Sequence, residues 1–407
     1  MANKKPIKLN DQQLMLDASR VADIYHQMTM DLFDQVVDRI RERGSASLED
    51  NPYIWQIEKM SEMGLLNDEN IKLIAERSGV AEQQLRYVIQ NEGYQIYKDT
   101  KTQLLDSMGG GDFVDNNLIQ INLANYVNQT MGDINNLINT TLPVSVRKVY
   151  QSIVEETVAK VVTGVMGPNK AVSTTVMKWA EKGFYGFTDK QGKRWRADTY
   201  ARTVIRSTSW RVYREARMAP AEEVGIDTFY YSMKSTAREM CALLQHQIVT
   251  HGPARTEKGE RIYSLSDYGF GSAGGCLGNN CHHEITPFVV GANYKPDLPE
   301  HLKDLTPEQA IENANAQAKQ RAIERSIRKS KEMLHVANKL EDDELISKYK
   351  GQVRKQQAAM RDYLRQHPFL YRDYSRERYY DDPFNQAKAE IELRKQQKKK
   401  AGDPNLD

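Results

Sequence analysis

The chain has 407 residues, with 57 lysines and arginines against 55 aspartates and glutamates and a formal net charge of +2. This length predicts roughly two or three domains, and the small net charge says little about nucleic-acid binding, so any such binding must come from local segregation of charge. No run approaches the roughly 18 apolar residues that span a bilayer, and the basic N-terminus is not followed by an apolar signal sequence. The odd number of cysteines argues against a disulfide framework, so we expect a helix-rich protein of a reducing compartment, with no membrane partner.

Residues 1–110 are predicted to form an N-terminal helical region. Its first element is a long amphipathic helix over residues 10–43 that Gly44 ends. Six apolar side chains recur at spacings of three and four to form its packing stripe: Leu14, Ala18, Val21, Tyr25, Met28 and Leu32.

Residues 65–89 are predicted to form two short helices with Gly79 in the turn between them. This spacing is that of a helix-turn-helix, so one alternative function is DNA binding through residues 71–90. The second helix carries Arg86 as its one cation, whereas helices that read bases need several donors and cations. A plain helical hairpin is the other interpretation.

Residues 111–183 are predicted to be a helical linker or arm. Apolar residues again recur with helical spacing, and Pro143 is predicted to separate two helices. A further short helix over residues 170–182 ends at Gly183.

Residues 184–298 are predicted to form a small α+β module. An alternating aromatic and polar pattern over residues 184–195 predicts a β-hairpin. Asp198 is predicted to cap a helix over residues 199–217, and a β-prone run over residues 228–233 predicts a strand.

Cations are concentrated on this hairpin and helix. An arginine-rich face can pair with phosphates or with an acidic protein surface, while a solvated face with internal ion pairs is an equally weighted alternative. The candidate residues for contact with a partner or DNA are Lys193, Arg194, Arg196, Arg202, Arg206, Arg211 and Arg214.

All three cysteines lie between Cys241 and His283, and five glycines before Cys281 predict a tight, irregular loop. Zinc favours four cysteine or histidine ligands that come as two close pairs. A structural zinc site is therefore one hypothesis, and buried thiols and histidines within a glycine-rich loop are the other. The two candidate pairs are Cys241 with His246 and Cys281 with His283, and Cys276 and His282 complete the set of available ligands.

The sequence gives little support for catalysis. Cys281 and His283 are so close in sequence that we do not expect a thiol nucleophile and its base to meet there. Ser207, Thr208 and Ser209 fall on a predicted helix, whereas the Ser-Thr-Ser element of ADP-ribosyltransferases lies on a strand. We predict no enzyme, no catalytic residue and no cofactor other than the hypothesised zinc.

Residues 299–370 are predicted to be a charged helical region, a solvated helix or helical hairpin that buries little of its own surface. Residues 371–407 are predicted to be a flexible basic tail. The predicted fold is thus mainly α with a small α+β central domain and long helical arms on both sides.

Five motifs in residues 175–293 together resemble a known family. They are Trp179-Ala-Glu-Lys-Gly183, Gly192-Lys-Arg-Trp195, Tyr200-Ala-Arg-Thr-Val-Ile-Arg-Ser-Thr-Ser-Trp-Arg211, Tyr268-Gly-Phe-Gly-Ser-Ala-Gly274 and Asn280-Cys-His-His283. The set resembles the type 2 minor capsid proteins of tailed bacteriophages, relatives of the Mu-F-type head morphogenesis proteins. Cys241 stands where that family usually has histidine and His282 where it usually has arginine, which weakens any inherited metal site.

The resemblance implies a structural protein of the virion that acts in head assembly, at the capsid interior or the portal vertex. It is expected to be made in the cytoplasm of the bacterial host. The implied partners are the portal protein and the major capsid protein, with packaged double-stranded DNA as a further expected contact. The alternatives are a Mu-F-type protein with toxin-like enzymatic activity and a helix-turn-helix DNA-binding protein.

Overall fold

The computed structural model describes residues 5–6, 13–42, 46–114, 117–188, 192–278, 281–379 and 382–400. Most of these residues are helical and a small mixed sheet accompanies them, which confirms the predicted fold class. The described helices are α1 Gln13–Arg41, α2 Ala46–Asp50, α3 Pro52–Ser61, α4 Met63–Tyr87, α5 Gly93–Ser107, α6 Asn117–Val162, α7 Pro168–Lys182, α8 Ala197–Glu223, α9 Glu239–Ala242, α10 Glu300–Lys303, α11 Pro307–Leu340, α12 Asp343–Gln366, α13 Tyr374–Glu377 and α14 Pro383–Lys400. The described strands are β1 Lys5–Pro6, β2 Tyr185–Thr188, β3 Arg194–Arg196, β4 Thr228–Tyr231, β5 Ile248–Thr250, β6 Arg255–Glu257, β7 Glu260–Ser264, β8 Ile285–Pro287 and β9 Asn293–Tyr294.

Five short strands form one mixed sheet in the order β6-β7-β5-β4-β8. β5 and β7 are parallel and the other neighbouring strands are antiparallel. Every residue of β4 is buried. Because successive side chains of a strand point to opposite faces, Tyr230 and Tyr231 belong to different hydrophobic clusters on the two sides of the sheet.

The largest hydrophobic core, separate from the two clusters beside the sheet, joins helices from both ends of the chain. α1 packs against α4 and α8, and α6, α11 and α14 complete the core. The predicted apolar stripe of α1 is confirmed, since all six of its members are buried. Side chains from all five predicted segments enter this core, so the segments do not pack as separate bodies in the helical part of the protein. The predicted domain boundaries stay predictions.

Two predicted helix breaks are wrong. Gly79 lies inside α4, which runs without a turn and continues through a π-helical turn into α5. Pro143 lies inside α6, where Leu142 and Val146 are both fully buried. An internal proline costs about 3 kcal/mol and an internal glycine about 1 kcal/mol, and burial of several large side chains on each side outweighs either cost. The continuous α4 removes the helix-turn-helix interpretation of residues 71–90.

Other local predictions agree with the structure. β2 and β3 pair antiparallel as the predicted hairpin, although its turn residues 189–191 lie outside the described part of the chain. α7 ends at Gly183, which takes a positive φ of 68°. The charged region after residue 299 forms the predicted helical hairpin, of α11 and α12. In α12 Met360 is the one buried residue among those described, but α11 buries ten, so the expectation that this region buries little of its own surface holds for α12 and is wrong for α11.

The end of the chain differs from the predicted flexible tail as far as residue 400. α14 packs against α1 and α4 through Phe384, Ala387 and Ile391. The Arg77 guanidinium lies 3.5 Å from the centre of the Phe384 ring. The apolar residues of α14 are few and are separated by charged residues, so the sequence pattern alone does not predict a packed helix. Its contacts with α1 and α4 show that it is one. None of the described helices is both long and apolar enough to cross a lipid bilayer.

A buried ion network joins α1, α8 and α11. His26 Nδ1 lies 2.8 Å from Asp198 Oδ2, and His26 Nε2 lies 3.3 Å from Glu332 Oε1. Arg196 and Lys329 flank the two carboxylates. The prediction that Asp198 caps α8 is wrong, because the helix begins earlier than predicted. Arg196 takes the N-cap position and Asp198 lies in the first turn.

The pKa of His26 is raised in this network. Burial opposes protonation, but the hydrogen bonds and charges of Asp198 and Glu332 outweigh it. A histidine with a raised folded-state pKa contributes stability fully below its unfolded pKa of about 6.5 and loses that contribution as pH rises through the folded value. The pKa values of Asp198 and Glu332 are lowered, so their contributions are lost in acid instead.

We expect the stability advantage of the wild-type protein over His26→Gln to fall as pH rises from below the unfolded pKa of about 6.5 into the alkaline range, because the pKa of His26 is raised in the folded state. Denaturant unfolding at several pH values measures this difference. His301→Gln, at an exposed histidine, is the control and should follow the wild type. An advantage that stays constant or grows over this range would contradict the assigned network.

We expect Gly79→Ala to raise the free energy of unfolding by about 1 kcal/mol, because alanine is the better helix former and its Cβ would meet no atom within 4 Å. Gly225→Ala is the matched control: its site is equally open but its φ is 74°. That substitution should lower the free energy of unfolding by about 1 kcal/mol. A loss of stability at Gly79 would indicate a turn there.

Candidate metal centre in the cysteine and histidine cluster

The glycine-rich segment is held in a tight loop by close backbone packing. A Cβ on Gly275 would lie 1.8 Å from the carbonyl oxygen of Gly269, and one on Gly278 would lie 2.6 Å from that of Ala273. Gly269 itself takes a φ of 71°. These glycines are therefore required for space and for backbone conformation, and they let the loop fold back beneath the sheet.

The loop and the strand that follows it bring three side chains of the predicted ligand set together. Cys241 Sγ lies 3.7 Å from Cys281 Sγ, and Cys281 Sγ lies 3.4 Å from His283 Nδ1. The ligand atoms of all three residues lie within 4.8 Å of one another, and each residue is at most 3% exposed. They form the one cluster of this kind among the residues that the structure describes.

Strand alternation explains which residues face the cluster. Cys281, His283 and Ile285 are alternate residues of an extended segment and all lie beneath the sheet. His282 points the other way, where its ring packs 5.4 Å from that of Trp210 and contacts Arg206. The expectation that Cys281 and His283 would not meet is therefore wrong, because a spacing of two in extended chain places both side chains on one face.

His246 does not belong to the cluster. Its Nδ1 lies 3.0 Å from the hydroxyl of Tyr230, on the opposite face of β4 from Tyr231. The predicted pair of Cys241 with His246 is corrected accordingly: Gln245 is the residue of this turn that reaches the cluster. Cys276 is buried nearby but outside it, with its thiol 3.5 Å from the carbonyl oxygen of Leu265.

Gln245 fixes the tautomer of His283. Its Oε1 accepts a hydrogen bond from the backbone N–H of Lys234 at 2.7 Å and lies 2.9 Å from His283 Nε2. Because an amide oxygen carries no hydrogen, Nε2 must be the donor. In the neutral ring, Nδ1 then has its lone pair on the side of Cys281.

The three thiols differ in their acidity. The pKa of Cys281 is lowered, first by the hydrogen bond from Cys241 and then by His283, against the effect of burial. The pKa of Cys241 is raised by its hydrogen bond to Cys281 and by burial. Burial also raises the pKa of Cys276, to about 11, so that this thiol stays protonated. Cys281 is thus the thiol that carries negative charge most readily.

Two further side chains lie beside the cluster: Tyr231, which the sequence did not indicate, and Arg214, which it indicated only as a cation for a partner or DNA. Tyr231 is fully buried, its ring lies 5.1 Å from that of His283, and its hydroxyl lacks a hydrogen-bond partner of normal geometry among the described residues, although it interacts with the Cys241 thiol. Burial and the charge of Cys281 raise the pKa of Tyr231. The Nη1 of Arg214 is also buried without such a partner. Neither position has a recognisable spacing to the cysteines; the pairing of β4 reveals Tyr231, and the packing of α8 reveals Arg214.

The segment is anchored to α8 through its even-numbered residues. Glu284 accepts hydrogen bonds from Tyr213 Oη at 3.1 Å and from Lys234 Nζ at 2.9 Å. Arg217 Nη2 donates to Thr286 Oγ1 at 2.6 Å. One face of the segment is therefore held by α8, and the other presents Cys281 and His283 to Cys241.

The seven cations predicted to bind a partner or DNA do not form one open face. Arg196 and Arg202 pair with Asp198 and Asp23. Arg206 and Arg214 are partly buried, and burial lowers the pKa of both guanidinium groups. The remaining three candidates are exposed: Lys193, Arg194 and Arg211.

Similarity to known proteins identifies the class of this chain, which is that of bacteriophage structural proteins. The chain belongs to the phage minor capsid protein 2 family, whose model matches residues 9–365. This match extends well beyond the central residues that carry the resemblance in the sequence, and it confirms that resemblance.

Two relatives share this class. The chain is 27% identical over 381 residues to a structural protein of Lactococcus phage LL-H. The aligned region covers 88% of this chain and 98% of the relative. It is 33% identical over 115 residues to a structural protein of Lactococcus phage mv4. This aligned region covers 28% of the chain and 89% of that relative. No solved structure is significantly similar to the chain.

We expect Gly275→Ala to lower the free energy of unfolding by about 2 kcal/mol or more, because a methyl group at that position overlaps the Gly269 carbonyl. Gly274→Ala is the control in the same loop: a Cβ there meets no atom within 4 Å and needs no unusual φ. Its effect should stay within about 0.5 kcal/mol. Thermal unfolding of both variants makes the comparison, and equal effects would refute the close packing of the loop.

Proposed function

We propose that this protein is a minor structural component of the virion of a tailed bacteriophage or prophage, which associates with the portal protein and the inner capsid during head assembly. The observation that carries the proposal is the family match over residues 9–365, together with relatives that are both named structural proteins. Those names agree with the predicted absence of enzymatic activity.

An exposed apolar surface on α3 supports a role in assembly. Tyr53, Ile54 and Ile57 are 61%, 51% and 69% exposed and lie along the outer side of this helix. The inner side is anchored, since Trp55 is buried and Lys59 Nζ donates to the carbonyl oxygens of Arg39 and Glu42 at 2.6 and 2.7 Å. Apolar side chains that the fold itself does not need are typical of protein interfaces.

A contact with packaged DNA has narrower support. The cations Lys193, Arg194 and Arg211 are the candidates for phosphate contacts because their side chains are exposed to solvent, whereas the other four predicted cations are not fully exposed. Phosphate contacts of this kind position a protein on DNA without reading sequence. We therefore treat DNA as a secondary partner and the portal protein as the primary one.

A thiol-dependent enzyme is the alternative that the cluster geometry raises. Cys281, His283 and Gln245 stand in the order of a nucleophile, a base and an orienting amide. However, a nucleophile must reach its substrate, and Cys281 is 3% exposed. The structural role is favoured for this reason.

We expect Ile57→Glu to fold normally and to reduce copurification with portal protein from infected or induced cells by about tenfold, because a charge would be buried in the interface. Leu393→Glu is the matched control, an apolar to acidic change at a 55% exposed residue of α14. Quantitative mass spectrometry of the purified complexes measures the effect.

The same measurement can refute the proposal. Equal loss in both variants would exclude the α3 surface as the specific contact. Absence of the wild-type protein from purified virions, and of portal protein from its complexes, would overturn the assembly role itself.

A further inference from the structure

Two of the three ligand separations in the cysteine and histidine cluster are those of ligands around a single metal ion, and all three ligand atoms lie within 4.8 Å of one another. Zn–S bonds of about 2.3 Å at a tetrahedral angle place two sulfurs about 3.8 Å apart, and a Zn–N bond of about 2.0 Å places sulfur and nitrogen about 3.5 Å apart. The observed separations are 3.7 Å between the sulfurs of Cys241 and Cys281 and 3.4 Å between Cys281 Sγ and His283 Nδ1. We propose that Cys241, Cys281 and His283 bind a structural zinc ion.

His283 is prepared for this role by its neighbour. Ligating histidines usually donate their other ring N–H to a carbonyl or carboxylate oxygen, which fixes the ring and its tautomer. Gln245 Oε1 supplies such an oxygen at 2.9 Å from Nε2 and is itself held by the backbone N–H of Lys234. The lone pair of Nδ1 is therefore available to a metal.

The surroundings suit a tetrahedral centre with two thiolates. The buried hydroxyl of Tyr231 is available to complete the coordination, directly or through a water molecule. Two thiolates neutralise the charge of Zn²⁺, and an anionic fourth ligand would leave one negative charge. The partly buried guanidinium of Arg214, whose Nη1 lacks a described partner, supplies a compensating positive charge.

Zinc at this position would join two distant parts of the module. Cys241 lies in the short helix α9, while Cys281 and His283 follow the glycine-rich loop 40 residues later. A metal bound to both fastens the loop beneath the sheet, in a module whose strands are only two to five residues long. The ion would act on folding, so its removal should lower stability rather than abolish turnover.

The full-length protein, purified without added metal, should contain about one zinc ion per chain by elemental analysis, since structural sites are normally filled. Cys281→Ser and Cys241→Ser should each retain less than about 0.2 zinc per chain. Cys276→Ser is the matched control: it removes a thiol that is equally buried but outside the cluster, and it should keep the full content.

Cobalt and thiol measurements test the site without relying on the variants. Co²⁺ added to chelator-treated wild-type protein should give the near-ultraviolet charge-transfer absorption of thiolate ligands, and so should the Cys276→Ser variant. Less than about 0.2 zinc in the wild-type protein, with no cobalt absorption, would overturn the proposal. A thiol count of one per denatured, unreduced chain would overturn it as well, because Cys241 and Cys281 would then form a disulfide.

Discussion

A histidine buried between two carboxylates determines how three distant helices meet. His26 of α1, Asp198 of α8 and Glu332 of α11 are each less than a tenth exposed. Removing such charges from water costs several kcal/mol each, and the cost is tolerated only when the partners are in place. The helices must therefore pack in one register, and that register sets the position of α8 on which the sheet module depends.

The fixed position of α8 in turn positions the candidate metal centre. One of its faces enters the helical core, while Arg206, Tyr213 and Arg217 hold alternate residues of the segment after the glycine-rich loop. Because that segment is extended, fixing its even-numbered side chains against α8 turns Cys281 and His283 toward Cys241. The cluster is thus a consequence of the packing between a helix and a strand, in addition to the loop that delivers Cys281.

The sequence predicted elements well where local pattern and tertiary packing agree. The stripe of α1, the end of α7 at Gly183 and the hairpin before α8 are examples. It failed at Gly79 and Pro143, where local residues favour a break but buried neighbours hold a continuous helix. The sequence also did not predict the packing of α14, because the few apolar residues of that helix are recognisable as core residues only once α1 and α4 are known to cover them. In each failure, long-range burial outweighed a local preference of about 1–3 kcal/mol.

By itself, the sequence determined the helical class, the family resemblance and the window that holds every cysteine, because periodicity, motif order and residue type are local properties of the chain. Only the tertiary structure decided which of these residues share a site. The pairing of β4 placed Tyr231 and Gln245 beside the cysteines and turned His246 to the opposite face. Ion pairs likewise engage two of the seven candidate cations, Arg196 and Arg202, and burial covers most of Arg206 and Arg214. The direction in which each side chain points is decided by strand register and helix packing, and both depend on partners far away in the sequence.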